Sequence, residues 1–528
     1  MRNFHHPGRS TAYAINAMAA TSSGPATLAA LDVLRHGGNA VDAAVTASAV
    51  LCVTEPHMTG IGGDCFVLIG RPDGGVEGLN GSGRSARRAD ADWLKKSGLC
   101  GITHDSIHAV TVPGAIDAWA KLLAKHGTID LAQALEPAIR LAEQGCPVAP
   151  RVASDWAKLE DKLARDEGAS RHFLPAGRTP RAGEIMRYPA LTKTLRVIAK
   201  YGRDGFYAGE IAEDIVAHLK GRGSLLTSED FAATDATWVD PISTVYRDHE
   251  LLEIPPNGQG ITALIALNAL KHFDLARHGA ASVERRHIEL EAVKLAWILR
   301  NRHVADSDHA PAPIADLLSE ATAGQLAGLI RMDKAFDGPE AAVAMPASDT
   351  VYLTVVDRNR LAVSFINSIY DDFGSGIVTP ETGIALQSRG AGFNTDPGHP
   401  NCIGPAKRPL HTIIPAMVRA KAGIVMSFGV MGGDYQPMGH TAMMLNRFVY
   451  GMDPQEAIDF PRALHKQGVV GIEDGISDAV ADGLQQRGHV VERIKKPWGG
   501  GQAIVIDHET GVLIGGSDPR KDGLALGF

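Results

Sequence analysis

Two strand-like runs joined by a tight turn constrain this chain most. Val351–Val356 and residues 361–365 are alternating or apolar β-type runs, and Asp357-Arg358-Asn359-Arg360 between them suits a hairpin turn. The upstream region differs. From about residue 134 to about residue 306 the apolar spacing is mainly helical, as in 134–144, stopped by Gly145, and in the amphipathic stretch 286–303. The character therefore changes near Pro346, and Thr350 stands at the mouth of the first strand. Later β-runs at 423–428, 502–506 and 512–515 surround a helical stretch from about 441 to 449. Strands and helices interleave, and hairpin connections favour antiparallel pairing.

Near the start, residues 24–54 are rich in Ala, Leu and Val and are broken by Gly37-Gly38-Asn39, which predicts two packed helices. Residues 55–64 form a loop and 65–69 a short buried strand. The charged, apolar-poor stretch 151–187 is expected to cover the surface. At 528 residues the chain exceeds what one core usually organises, so two or three packed units or one large multilayer domain are expected.

Composition removes several functions. Apolar residues at 45% and charged residues at 21% exclude a disordered chain. The net charge of −8 is scattered, which offers no basic patch to nucleic acid. The five cysteines, Cys52, Cys65, Cys100, Cys146 and Cys402, are widely spaced and contain no CxxC pair, so neither a disulfide framework nor a zinc site is suggested. The first ten residues lack the apolar core of a secretory signal and no run is long enough to span a membrane, so a cytoplasmic location without membrane contact is expected. The 21 histidines include no HExxH or close Cys/His cluster, and Gly60-Ile61-Gly62-Gly63 and Gly499-Gly500-Gly501 lack the settings of phosphate or dinucleotide loops. No metal and no other cofactor is expected, and the glycines read as turns and close backbone approaches.

A G-x-S-x-G elbow is absent too, which turns attention to threonine. Inside a chain its hydroxyl lacks a base, but an N-terminal threonine carries its own α-amine, with a pKa of about 7.7–8.0. Spacing alone does not single out Thr350, since a threonine entering a strand is ordinarily a β-former.

A resemblance does single it out. Ser348-Asp349-Thr350 with the run 351–357, then Ala362-Val363-Ser364 and Phe373-Gly374-Ser375-Gly376-Ile377, resembles the processing site of γ-glutamyltranspeptidases. The similarity continues in residues 37–44, in Gly60 to Asp64, in Val112-Pro113-Gly114-Ala115, in Lys407-Arg408-Pro409-Leu410, in Gly432-Gly433 and in residues 516–520. It implies an α+β fold, a four-layer αββα sandwich of the N-terminal-nucleophile hydrolase type, with Thr350 opening a central strand. It also implies self-cleavage into residues 1–349 and 350–528, a tightly associated pair that forms one catalytic unit and is open to dimerising again.

Residue by residue, the resemblance makes Thr350 the nucleophile, Ser368 its supporting hydroxyl, and Gly432 and Gly433 the oxyanion-stabilising pair. It matches Arg84 to the arginine that holds a substrate carboxylate. Departures then shape the expected substrate. Tyr370 stands where the family has an asparagine, His411-Thr412 where it has a serine pair, and Arg389 and Gly392 where an amide and an acid hold an ammonium group. A cation in that place repels an α-amino substrate, so the expected small-molecule substrate is a short acidic amide such as oxamate. The alternatives are a γ-glutamyltransferase or glutathione hydrolase, and a non-catalytic binding member of the fold. The stretch 394–407 is shorter than the family's lid loop, which implies a pocket open to water.

Overall fold

The structure, a computed structural model, describes residues 8–338 and 350–528. Two seven-stranded antiparallel sheets form its centre. In spatial order the first runs Leu524–Gly527, Met18–Thr21, Val351–Val356, Ala362–Ser368, Asp64–Gly70, Val76–Gly81 and Thr237–Val239. The second runs Ala12–Ala14, Leu513–Ser517, Gly500–Ile506, Gly423–Met431, Ala416–Ala420, His249–Glu253 and Ile242–Tyr246.

The central strands are largely apolar because both of their faces are covered. Asp64–Gly70, Val351–Val356, Ala362–Ser368 and Gly500–Ile506 are buried throughout, whereas the edge strand Leu524–Gly527 alternates exposed and half-buried positions. Between the sheets, Thr354 Oγ1 meets Ser427 Oγ at 2.6 Å. Gly429 lies so close to the Tyr352 ring that a Cβ there would come within 2.4 Å of it.

Helices cover the outer faces. Gly24–Arg35 and Ala40–Thr54 lie on the first sheet, and every residue of the second of these helices is buried. Gly260–Leu270, also wholly buried, and Tyr435–Phe448 lie on the second sheet. The order is helix, sheet, sheet, helix, as expected from the resemblance. Asn39 starts the buried helix: its side chain accepts from the N–H groups of Val41 and Asp42, and Asp42 returns a bond to Asn39 N at 2.8 Å. Gly37, at φ +96°, ends the preceding helix, so the break at 37–39 is a stop and a start as predicted.

The hairpin is also as predicted, with Val351 opposite Asn367, Val356 opposite Ala362, and Arg360 at φ +65° in the turn. Two expectations need correction. The stretch 151–187 does not merely cover the surface, because its short helices drive Trp156 and Leu163 fully inside; its apolar residues are few, but these two are buried. The helix expected from about 441 begins at Tyr435, since Pro437 sits in its first turn, where a missing N–H costs nothing. Among the described residues no helix is long and apolar enough to cross a membrane.

Candidate active site

Thr350 immediately precedes strand Val351–Val356, and the antiparallel neighbour Ala362–Ser368 ends beside it. The register therefore brings two hydroxyls together: Thr350 Oγ1 donates to Ser368 Oγ at 3.0 Å. Ser368 Oγ also accepts from Tyr370 N at 2.9 Å and from Arg389 Nη2 at 3.2 Å. Gly63 passes against this corner, and a Cβ on it would lie 2.2 Å from the Ser368 carbonyl oxygen. That close approach explains the glycines of 60–63 without any phosphate. Asp349, the other side of the expected scissile bond, lies outside the described residues.

Arg389 follows the sheet corner in a short turn and has no solvent exposure. Its Nη1 donates to Thr412 Oγ1 at 2.9 Å, and its guanidinium lies over the Tyr370 ring, 3.9 Å from the centroid. No carboxylate pairs with it among the described residues, and its Nε has no hydrogen-bond partner there. Burial lowers its pKa to about 10, so the group remains charged at neutral pH. Tyr370 holds φ +81°, an unusual conformation for a side chain of this size. Its phenol oxygen is buried without a hydrogen-bond partner among the described residues, and burial raises its pKa.

From Thr412 the network runs to the glycine pair. Gln259 Nε2 donates to the Thr412 carbonyl at 2.8 Å and to the Gly433 carbonyl at 3.0 Å, and Arg300 Nη1 holds Gln259 Oε1 at 2.6 Å and Asp434 Oδ1 at 2.8 Å. Gly432 and Gly433 have φ of +117° and +56° and lead directly into helix Tyr435–Phe448. Backbone N–H groups at such a turn, beside the positive end of a helix, suit a developing oxyanion.

Two residues expected to bind substrate have protein partners. Arg84 does not join the cluster: its guanidinium reaches Asp306 at 3.2 Å, Asp308 at 2.8 Å and the Ala406 carbonyl at 3.0 Å. A cation already paired with two carboxylates has little charge left for a third. His411 is fully buried and both ring nitrogens are engaged, Nε2 with Asp64 Oδ2 at 3.0 Å and Nδ1 with Ile413 N at 3.4 Å. Burial, reinforced by the charge of Arg389, depresses its pKa to about 3, so it stays neutral and positions its neighbours. Thr350, Ser368, Arg389 and Thr412 have no solvent exposure. Tyr370 roofs Arg389, and His104 packs on Tyr370 with ring centroids 4.8 Å apart.

Sequence reasoning missed Asp64, Gln259, Arg300 and His104. Asp64 Oδ1 gathers Gly83 N at 2.9 Å, Gly114 N at 3.2 Å and Gln387 Nε2 at 2.9 Å, which ties the signature at 60–64 to the one at 112–115 through one carboxylate. Its place directly after Gly62-Gly63 was the available signal.

Comparisons with known proteins identify the family. The family model described as Gamma-glutamyltranspeptidase matches residues 26–528. A "glutathione hydrolase-like YwrD proenzyme" of Bacillus subtilis (strain 168) is 38% identical over 94% of this chain and 95% of its own length. An "oxamate amidohydrolase proenzyme" of Klebsiella pneumoniae subsp. pneumoniae is 35% identical over 95% of this chain and 97% of its own. The crystal structure of a cephalosporin acylase from Bacillus halodurans superposes with a TM-score of 0.93 at 39% identity, covering 100% of this chain and 99% of the other. With a family match across nearly its whole length, and with relatives aligned over more than nine-tenths of it, the chain belongs to the gamma-glutamyltranspeptidase family and is a hydrolase of linear amide bonds.

Proposed function

We propose that this chain cuts itself before Thr350 and that the freed residue is the nucleophile of an amidohydrolase for small acidic amides such as oxamate. In the first event Thr350 Oγ attacks the carbonyl carbon of residue 349 and displaces its own nitrogen. Water then hydrolyses the resulting ester, leaving pieces of 349 and 179 residues. The new α-amine accepts the hydroxyl proton in each later turnover and passes it to the leaving ammonia, and water resolves the acyl ester. Ser368 holds the hydroxyl in place, and the N–H groups of Gly432 and Gly433 stabilise the oxyanion, each such donor being worth about 3–4 kcal/mol. That relatives are named proenzymes supports the cleavage.

Arg389 carries the substrate side of the reading. It is a buried guanidinium without a carboxylate partner among the described residues, one hydrogen bond from the hydroxyl that touches Thr350. An isolated buried charge costs several kcal/mol, and a substrate carboxylate, or the adjacent carbonyl oxygens of an oxamate, supplies the missing partner. Arg389 thereby takes the carboxylate-binding role first given to Arg84. A γ-glutamyl substrate is the second reading, favoured by the name of the Bacillus subtilis relative. It places an ammonium group near an unpaired guanidinium.

A mass spectrum of the purified protein together with amide-release assays decides both points. Two pieces and loss of both cleavage and turnover in Thr350→Ala are expected; an intact chain that still turns over amides ends the nucleophile assignment. Oxamate and glutaryl anilide are expected to outpace γ-glutamyl anilide, which differs from the glutaryl compound only by the ammonium group. The reverse preference ends the acidic-amide assignment.

A further inference from the structure

Helix Val283–His303 carries His287 and Glu291 one turn apart, and His489 closes on them from the loop before strand Val490–Arg493. His287 Nδ1 lies 2.8 Å from His489 Nε2, His489 Nε2 lies 4.0 Å from Glu291 Oε1, and the three ligand atoms all fall within 4.8 Å of one another. His287 Nε2 contacts the Arg331 carbonyl at 2.6 Å. Since a carbonyl only accepts, that nitrogen carries the proton, and Nδ1 turns a lone pair toward the group. Metal-bound histidines are oriented in this way.

We propose that His287, Glu291 and His489 form a binding site for a zinc-class divalent metal, separate from the amidase site, that fastens the end of the large piece. Two histidines and a carboxylate with one vertex left for water match zinc's ligand preference. Metal–ligand bonds of about 2.0–2.1 Å at tetrahedral angles set the ligand atoms about 3.3 Å apart. The histidine pair therefore opens slightly and the His489–Glu291 pair closes slightly, both within the reach of side-chain torsions. Lys294 is the competing cation. Its Nζ stands 2.5 Å from Glu291 Oε1 and donates to the Phe336 carbonyl at 2.8 Å, so a metal takes the carboxylate oxygen and leaves Lys294 on the carbonyl.

The outer bonds of the cluster converge on one stretch of chain. Arg331 O meets His287, Phe336 N donates to Glu291 Oε2 at 2.6 Å, and Phe336 O accepts from Lys294. This is the last described stretch before the junction at Thr350, and a bound metal pins it whether or not that junction is cut.

The test is a cobalt(II) titration of the chelator-treated full-length protein, followed by visible absorption. One equivalent with the d–d bands of four-coordinate cobalt, displaced by zinc(II), is expected, together with a higher melting temperature in zinc. His489→Gln should abolish the bands. Glu291→Gln, which keeps an oxygen for Phe336 N, should weaken binding by more than about 100-fold while circular dichroism reports an intact fold. No bands in the wild type, bands that persist in both variants, or a melting temperature indifferent to zinc overturns the proposal.

Discussion

Arg389 is the residue at which stability and function oppose each other. Its guanidinium is stripped of water, stacked on Tyr370 and bonded to two hydroxyls, yet no carboxylate neutralises it among the described residues. Replacing even a buried ion pair by hydrophobic side chains is often neutral or stabilising by about 1–4 kcal/mol, and a charge buried without its partner has less attraction to lose. Arg389→Leu is therefore expected to melt at or above the wild-type temperature while kcat/KM for oxamate falls about 100-fold or more, the usual scale for losing a buried charge-pair partner. A lower melting temperature in calorimetry would assign the residue to structure instead. The sequence made this residue visible, since a cation where relatives hold an ammonium group is a local departure. It was silent about the partners of Arg84, because nothing near residue 84 announces that Asp306 and Asp308 fold onto it. It was silent about His411 for the same reason: the carboxylate that occupies the ring, Asp64, lies 347 positions away.

At the scale of elements, local signals read well and long-range ones did not. The hairpin after Thr350 and the break at Gly37-Gly38-Asn39 are written in neighbouring residues, so turn chemistry and capping predicted them. The pairing of Met18–Thr21 with Val351–Val356 has no local signature and appears only in the structure. The junction between strand Gly423–Met431 and helix Tyr435–Phe448 combines both kinds of constraint. Gly432 sits at φ +117°, and a Cβ there would lie 2.9 Å from Gly499 Cα. Gly451, at φ +67°, has nothing within 4 Å of such a Cβ. Alanine at either place suffers left-handed backbone strain of about 1–3 kcal/mol. Only Gly432→Ala also displaces the proposed oxyanion turn, so kcat should drop at least about tenfold with KM little changed, whereas Gly451→Ala should lose stability and keep its activity. Equal kcat values in the two variants would remove Gly432 from the reaction.

For the whole molecule, the cut proposed before Thr350 would fall inside a shared architecture and not between two domains. In the first sheet Met18–Thr21, from the large piece, lies between Leu524–Gly527 and Val351–Val356 of the small one, and Asp64–Gly70 pairs with Ala362–Ser368. In the second sheet Ala12–Ala14 pairs with Leu513–Ser517, and His249–Glu253 with Ala416–Ala420. Five strand seams thus join the pieces, three in one sheet and two in the other. Each is a row of backbone hydrogen bonds, and the central strands of both sheets are buried under helices, so salt has few exposed charges to screen there. Separating the pieces requires opening both sheets, which is unfolding by another name. The cleaved enzyme is therefore expected to elute as one species in high salt and to melt in one cooperative transition, with the 349- and 179-residue pieces parting only in denaturant. Elution of the small piece alone from native gel filtration would mean that the sheets do not bind the two pieces as drawn.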